Sequence, residues 1–397
     1  MNVLVVNAGS SSLKYQLFDT TNGDVIAKGL CERIGIDGGM ISYTPDGGEK
    51  EKKNVDIPNH TEAFRLVLEA LMNPATGVIK SVDEIDAVGH RMVHGGEKFA
   101  CSVILNDEVL EAVASCNDLA PLHNPANLTG VYACKELMPN VPMVGVFDTA
   151  FHQTMPEEAY IYAIPYEYYK KYGVRRYGFH GTSHAFVSEH AAEFLGLDYE
   201  NSKIIVCHIG NGASISAVKN GKCVDTSMGL TPLEGLVMGT RSGDVDPGVL
   251  EFLANKEGMD IKDLLAMLNK KSGLLGLTDN LSSDNRDIED GYRSGDEACV
   301  RAMKATCYRV VKYIGAYAAA MNGVDAICFT AGVGENSSIL RELVCEHLGY
   351  LGITIDPEEN KKRGDDNVIS TPDSKVKVCV IPTNEELAIA RETARLV

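Results

Sequence analysis

The sequence has no Cys-x-x-Cys pair, although 11 cysteines are scattered from Cys31 to Cys379. Neither a disulfide framework nor a zinc knuckle fits that spacing, which reads as reduced thiols. Uncharged apolar runs are short, and none approaches the ~18 residues of a spanning helix, so no membrane partner is expected. Met1-Asn2-Val3-Leu4-Val5-Val6 lacks a basic leader and runs straight into a strand pattern, which points to a cytoplasmic protein. Positive charge is scarce as well: 37 Lys and Arg against 55 Asp and Glu leave a formal net charge of −18. Nucleic acid is thereby disfavoured as a partner, and an anionic substrate must be met by local basic groups. Gly-x-x-x-x-Gly-Lys-Ser/Thr and Gly-x-Gly-x-x-Gly are both missing, which excludes Walker and Rossmann nucleotide sites.

What remains is a chain of 397 residues, 45% hydrophobic and 23% charged, the composition of a globular protein of two to three domains. Val3 to Val6 predicts a strand, Asn7-Ala8-Gly9-Ser10-Ser11-Ser12 a small-residue loop, and residues 13–19, alternating with period two, a second strand. The layout returns at 204–207, in the loop His208-Ile209-Gly210-Asn211-Gly212-Ala213-Ser214, and at 215–218. Setting Gly9 against Gly210 aligns Val3 with Ile204 without a gap, so the chain reads as a duplicated unit. Helices are predicted at 61–72, 106–115, 183–195, 248–256, 261–268, 296–321 and 385–396, with a strand at 326–330. Strands alternating with helices give an α/β class. Residues 45–53 and 361–373 are polar and predicted as surface loops.

Small-residue loops after strands can present backbone N–H groups and hydroxyls to phosphate. Three are present: Gly9-Ser10-Ser11-Ser12 with Lys14, Gly210-Asn211-Gly212, and Gly332-Val333-Gly334-Glu335-Asn336. Arg91 lies between His90 and His94 beside a Gly pair, and Arg241 in a turn of Ser, Gly and Asp. Either guanidinium can pair with a carboxylate or phosphoryl group, or simply satisfy loop carbonyls. His123, His180 and His208 sit among Gly, Asn or Pro, whereas His60 and His347 read as surface. His180 and His184 are spaced as a metal pair, as are His90 and His94, but no third ligand is evident. Asp148 follows the apolar run at 144–146, a place for a catalytic or Mg²⁺-linked carboxylate or for a helix N-cap. The acids of Asn384-Glu385-Glu386 open the last helix, ordinarily as dipole partners.

Taken together these strings resemble the acetokinase family. Asn7-Ala8-Gly9-Ser10-Ser11-Ser12-Leu13-Lys14 is similar to its first signature and Gly239-Thr240-Arg241-Ser242-Gly243-Asp244 to its second. His90 to Gly96, Asp148 to His152, Tyr177 to His184, His208 to Gly212, Phe329 to Asn336 and Thr383 to Glu386 follow in the family's order. One departure is local: Leu277-Thr278-Asp279-Asn280-Leu281 replaces a shorter Ser-Gly turn before Ser282-Ser283-Asp284-Asn285-Arg286.

The resemblance implies the two-lobed, duplicated ββαβ-type core of the sugar kinase, Hsp70 and actin superfamily, with a central cleft. One lobe would comprise 1–149 with 385–397, and the other, 150–384, would bind nucleotide and form a homodimer. The implied reaction is reversible phosphoryl transfer from ATP to acetate, giving acetyl phosphate and ADP, with Mg²⁺ (or Mn²⁺); the alternative acceptor is propionate or another short-chain acid. Arg91 and Arg241 would clamp acetate and the phosphoryl group, with His180 and His123 holding the transferring group and Asp148 orienting an Arg. Val93, Leu122, Phe179 and Pro232 would enclose the acetate methyl, and Asn7, Glu385 and Asp148 would organise the metal and its waters. The nucleotide would meet Ser10, Ser12 and Lys14 on one side. On the other it would meet His208, Gly210, Asn211, Gly212, Gly332, Val333, Gly334 and Asn336, with Asp284, Asn285 and Arg286 at the nucleoside.

Overall fold

The computed structural model describes residues 1–121 and 123–397. The chain divides into two compact units, Met1–Ala150 with Asn384–Val397, and Phe151–Thr383.

The first unit is built on an eight-stranded mixed sheet. Its strands are β1 (Asn2–Ala8), β2 (Ser12–Asp19), β3 (Asp24–Glu32), β4 (Met40–Pro45), β5 (Glu51–Asn54), β6 (Ala87–Met92), β7 (Val103–Ile104) and β8 (Met143–Phe147), in the order β5-β4-β3-β2-β1-β6-β8-β7. Strands β1, β6 and β8 run parallel, and β2 returns antiparallel beside β1. Successive side chains of a strand point to opposite faces, and both faces of β1 are apolar. Leu4 and Val6 enter a large core with Phe64 and Val67 of helix His60–Leu71 and Leu128 and Val131 of helix Asn124–Leu137. Val3 and Val5 pack on the other face against Ile389 and Ala390 of the C-terminal helix Glu385–Leu396. That helix lies close on β6 because residue 89 is glycine: a Cβ there would come within 2.3 Å of Thr393 Oγ1 and 2.8 Å of Ile389 Cγ2.

The second unit repeats the topology. Its strands are β9 (Lys203–Ile209), β10 (Ala213–Lys219), β11 (Lys222–Thr226), β12 (Ala326–Thr330), β13 (Asn367–Val368) and β14 (Lys377–Val380), ordered β11-β10-β9-β12-β14-β13. An antiparallel hairpin is again followed by parallel neighbours, as β3-β2-β1-β6-β8 in the first unit. The α/β class and the duplication read from the sequence are thus present. Helix Gly181–Leu195 covers one face with Val187, Ala191 and Ala192, and the long helix Glu297–Ala320 buries Met303, Val310, Ile314 and Tyr317.

Three places differ from expectation. Within residues 361–373, expected as a surface loop, Asn367–Val368 form strand β13 beside β14, and Ile369 is fully buried. The polar stretch around 51–54 forms strand β5, exposed throughout and paired with β4, so it carries no hydrophobic signature. His60 is buried rather than superficial, its Nε2 2.7 Å from the carbonyl of Gly9, where it fixes the first small-residue loop. Among the described residues no helix is long and apolar enough to cross a membrane.

Candidate active site

In the first unit strand register assembles a charged cluster. Asn7 pairs with Lys14 across β1 and β2, and Arg91 with Val146 across β6 and β8. Val5, Gly89 and Val146 face the C-terminal helix, so period two places Asn7, Arg91 and Asp148 on that same face. The helix begins there with Glu385 and Glu386, capped by the Asn384 side chain, which accepts from the Leu387 amide. A small cavity is lined by Asn7, Lys14, Arg91, Glu385 and Glu386. Arg91 donates from Nε to Asp148 Oδ1 at 3.1 Å and from Nη2 to Oδ2 at 2.6 Å, a two-pronged pair that fixes the guanidinium plane. Its Nη1 lies 3.5 Å from Asn7 Oδ1. The charge of Asp148 makes Arg91 harder to deprotonate. Lys14 is paired with Glu386.

Glu385 is held differently. Burial pushes its carboxyl up to about 7; Arg91 pulls it down, while Asp148 and Glu386 push it up again. Val93 lies one residue past the end of β6 and is buried, its amide donating to Asn127 Oδ1. Asn127 Nδ2 donates in turn to the carbonyl of Ala8, so one side chain ties the end of β1 to the loop after β6. Asn124 holds His94 the same way, through the His94 amide and carbonyl. Neither asparagine stood out in the sequence. His123 occupies the N-cap position of helix Asn124–Leu137, and Leu122 lies outside the described residues.

In the second unit a cavity of about 730 Å³ opens beside β9 and β12, within the size range of ligand pockets. Gly210, Asn211, Gly332, Val333 and Asn336 line it from the two small-residue loops, and Asp284, Asn285 and Arg286 from the segment after the unusual turn. That turn is accommodated by Asp279 and Asn280 in consecutive left-handed conformations, with φ of 54° and 68°. Asp and Asn tolerate this region better than most residues. Glu289, Ser337 and Arg363 also line it, and the sequence carried no signal for them. Behind the third loop the fully buried Arg341 donates to the carbonyls of Gly334 and Glu335 and to Asn360. Burial lowers it to about 10, with Arg363 adding repulsion. Ser10, Ser12 and Lys14 belong to the first unit, and Ser10 is exposed.

Beside this cavity Arg241 and His180 converge on Gly212. A Cβ at that glycine would lie 2.6 Å from Arg241 Nη2 and 3.6 Å from His180 Nε2. Arg241 Nη1 donates to the carbonyl of Pro232 at 2.6 Å, and among the described residues no carboxylate pairs with it. Burial alone lowers its basicity. Its loop is stitched by backbone bonds from Gly239 to Asn211, Met238 to Arg241 and Ser272 to Thr240. His180 has φ of 58° at the entrance of helix Gly181–Leu195, and the preceding carbonyl, of buried Phe179, accepts from His152 Nε2 at 2.9 Å. The ring of His208 stacks on His180 at 4.2 Å and bonds Ser183, while Gly334 is buried, its carbonyl turned to Arg341. His180 and His184, spaced like a metal pair, share the hydroxyl of Ser214.

A carboxyl whose folded-state value is raised favours protonation in the fold. The stability that Glu385 contributes is complete below its unfolded value of 4.5 and is lost as pH rises through about 7. Carboxyl ¹³C titration of the unliganded protein is expected to place its midpoint near 7, falling in Asp148→Asn, where a negative neighbour is removed and Arg91 is freed. A midpoint in the usual carboxylate range would contradict this account of the cluster.

A model of the acetokinase family matches residues 2–391. The chain is 66% identical to the acetate kinase of Agathobacter rectalis and 60% identical to that of Helicobacter hepaticus, covering 100% and 99% of those relatives and all of this chain. The crystal structure of Porphyromonas gingivalis acetate kinase superposes with a TM-score of 0.96 at 54% identity, covering 100% of this chain and 99% of that one. A propionate kinase from Francisella tularensis superposes at 0.93 with 40% identity over the full length of both chains. With a match across nearly its whole length and relatives of this similarity, the chain belongs to the acetokinase family.

Proposed function

We propose that the chain is an acetate kinase of the cytoplasm, transferring the γ-phosphoryl group of ATP reversibly to acetate. The observation that carries this reading is the convergence of Arg241 and His180 on Gly212, beside a nucleotide-sized cavity. A carboxylate is already ionised at neutral pH, so the acceptor needs no general base. What opposes reaction is its repulsion by the phosphoryl oxygens, and fixed donors at those oxygens relieve it without reorganising. Arg241, which has no carboxylate partner among the described residues, and His180 Nε2 meet the transferring group; Gly210, Asn211 and Gly332 cradle the phosphates. Arg91, oriented by Asp148, binds the acetate carboxylate, and His123 bonds the transferring group. Val93, Leu122, Phe179 and Pro232 surround the methyl. The 11 cysteines are free thiols, all but Cys101 buried, in keeping with a reducing compartment.

Mg²⁺ is implied by the reaction. Asn7 and Glu385 offer hard oxygen donors beside Asp148 and Glu386, and a cation there would offset first the burial and then the neighbouring carboxylates that raise Glu385. Bound there, Mg²⁺ would neutralise charge on the polyphosphate.

We infer further that the enzyme is a homodimer. Helix Pro247–Glu257 buries none of its residues, and Val249 and Phe252 stand exposed with Ile261 and Leu265 of the next helix. A second copy of the chain covers this stripe. In Phe252→Lys, sedimentation is expected to show monomer where the wild type shows dimer; a variant that still dimerises would place the interface elsewhere.

Hydroxylamine trapping of the acyl phosphate formed from ATP, Mg²⁺ and a panel of short carboxylates tests the activity. Acetate is expected to give the highest kcat/KM, with propionate disfavoured within the ~1–3 kcal/mol a methylene is worth. A preference for propionate would reassign the acceptor, and no trapped product would overturn the reading.

A further inference from the structure

Behind His180 lies a chain of hydrogen bonds that the reaction as described does not use. His180 Nδ1 is 2.9 Å from Ser214 Oγ, and the same oxygen is 2.7 Å from Nε2 of His184, one helical turn further on. Ser214 and His184 are both fully buried. A hydroxyl has one proton, so Ser214 can donate to one ring and must accept from the other.

The direction follows from the far end. Burial, followed by the neighbouring His152 and His208, holds His184 neutral, with a single ring proton. Its Nδ1 is buried and has no hydrogen-bond partner among the described residues. A proton there would be an orphaned buried donor, more costly than leaving a ring lone pair unpaired. The proton therefore sits on Nε2 and is donated to Ser214 Oγ, which passes its own proton toward His180 Nδ1. A neutral imidazole that accepts at Nδ1 carries its hydrogen at Nε2. That nitrogen is the one that faces Gly212 beside Arg241.

We propose that His184 and Ser214 are positioning residues that set the tautomer of His180, making its Nε2 a hydrogen-bond donor to the phosphoryl group. The proposal rests on the reading of His180 as a contact of the transferring group. The backbone supports the same end: His152 Nε2–H donates to the carbonyl of Phe179 and so holds the left-handed turn from which the His180 ring projects. Stacking of His208 on His180 at 4.2 Å limits rotation of the ring.

Long-range ¹H–¹⁵N correlation of the ¹⁵N-histidine-labelled full-length enzyme at neutral pH reads each tautomer, with the His180 signal identified by its loss in His180→Ala. The wild type is expected to show a protonated Nε2 and a bare Nδ1 at both His180 and His184. In Ser214→Ala the His180 ring should gain an Nδ1–H population, with kcat falling in proportion to the Nε2–H population lost and both KM values unchanged. His184→Phe should shift the His180 tautomer likewise, whereas His184→Gln, which keeps a donor at the ε position, should retain the wild-type tautomer. A wild-type proton on Nδ1 of either ring, or a tautomer indifferent to Ser214→Ala and His184→Phe, would overturn the relay. Unchanged turnover in His180→Ala would instead remove the catalytic reading and leave the tautomer result standing.

Discussion

Among the described residues no carboxylate pairs with the Arg241 guanidinium. A half-buried guanidinium loses hydration that bonds to oxygen must replace, and among the described residues Arg241 makes one such bond, to the carbonyl of Pro232. Arg91 is the contrast: its charge is matched two-prongedly by Asp148, so its place is set before any ligand arrives. An unmatched cation favours an anion, and the surroundings of Arg241 are consistent with that demand. Gly212 leaves room for the guanidinium, and backbone bonds fasten its loop at Met238, Gly239 and Thr240. The buried Arg341 is bonded by carbonyl and amide oxygens of Gly334, Glu335 and Asn360 rather than by a carboxylate, which fastens the third small-residue loop.

The architecture delivers these groups by simple periodicities. On the parallel strands β1, β6 and β8 alternate residues share a face, and one face brings Asn7, Arg91 and Asp148 to the start of the C-terminal helix, although they are far apart in sequence. On helix Gly181–Leu195 a spacing of four puts His184 under His180, where one hydroxyl from β10 reaches both. Rigid elements hold the donors, while the acidic overall charge confines favourable anion binding to these few places.

Much of this was legible in the sequence because it rests on local signals. Strands β1 and β2 and strands β9 and β10 announce themselves by β-branched runs around small-residue loops, and their ungapped alignment already implied a duplicated unit. What was not legible depends on tertiary placement. Strand β5 is polar and paired with β4. His60 looked superficial because nothing local says that the Gly9 carbonyl lies above it. Asn124 and Asn127 resemble ordinary first-turn residues, yet they fasten two loops. The His180 and His184 spacing was visible, but the residue that gives it meaning, Ser214, comes from a different strand.

In this mechanism Arg241 acts where negative charge develops. The most direct measurement is the single-turnover rate of phosphoryl transfer from ATP to acetate in Arg241→Met, with both substrates saturating so that binding does not enter. Loss of a fixed donor at the phosphoryl oxygens predicts transfer slower by ~10²-fold or more. Transfer within a few-fold of the wild-type rate would contradict it.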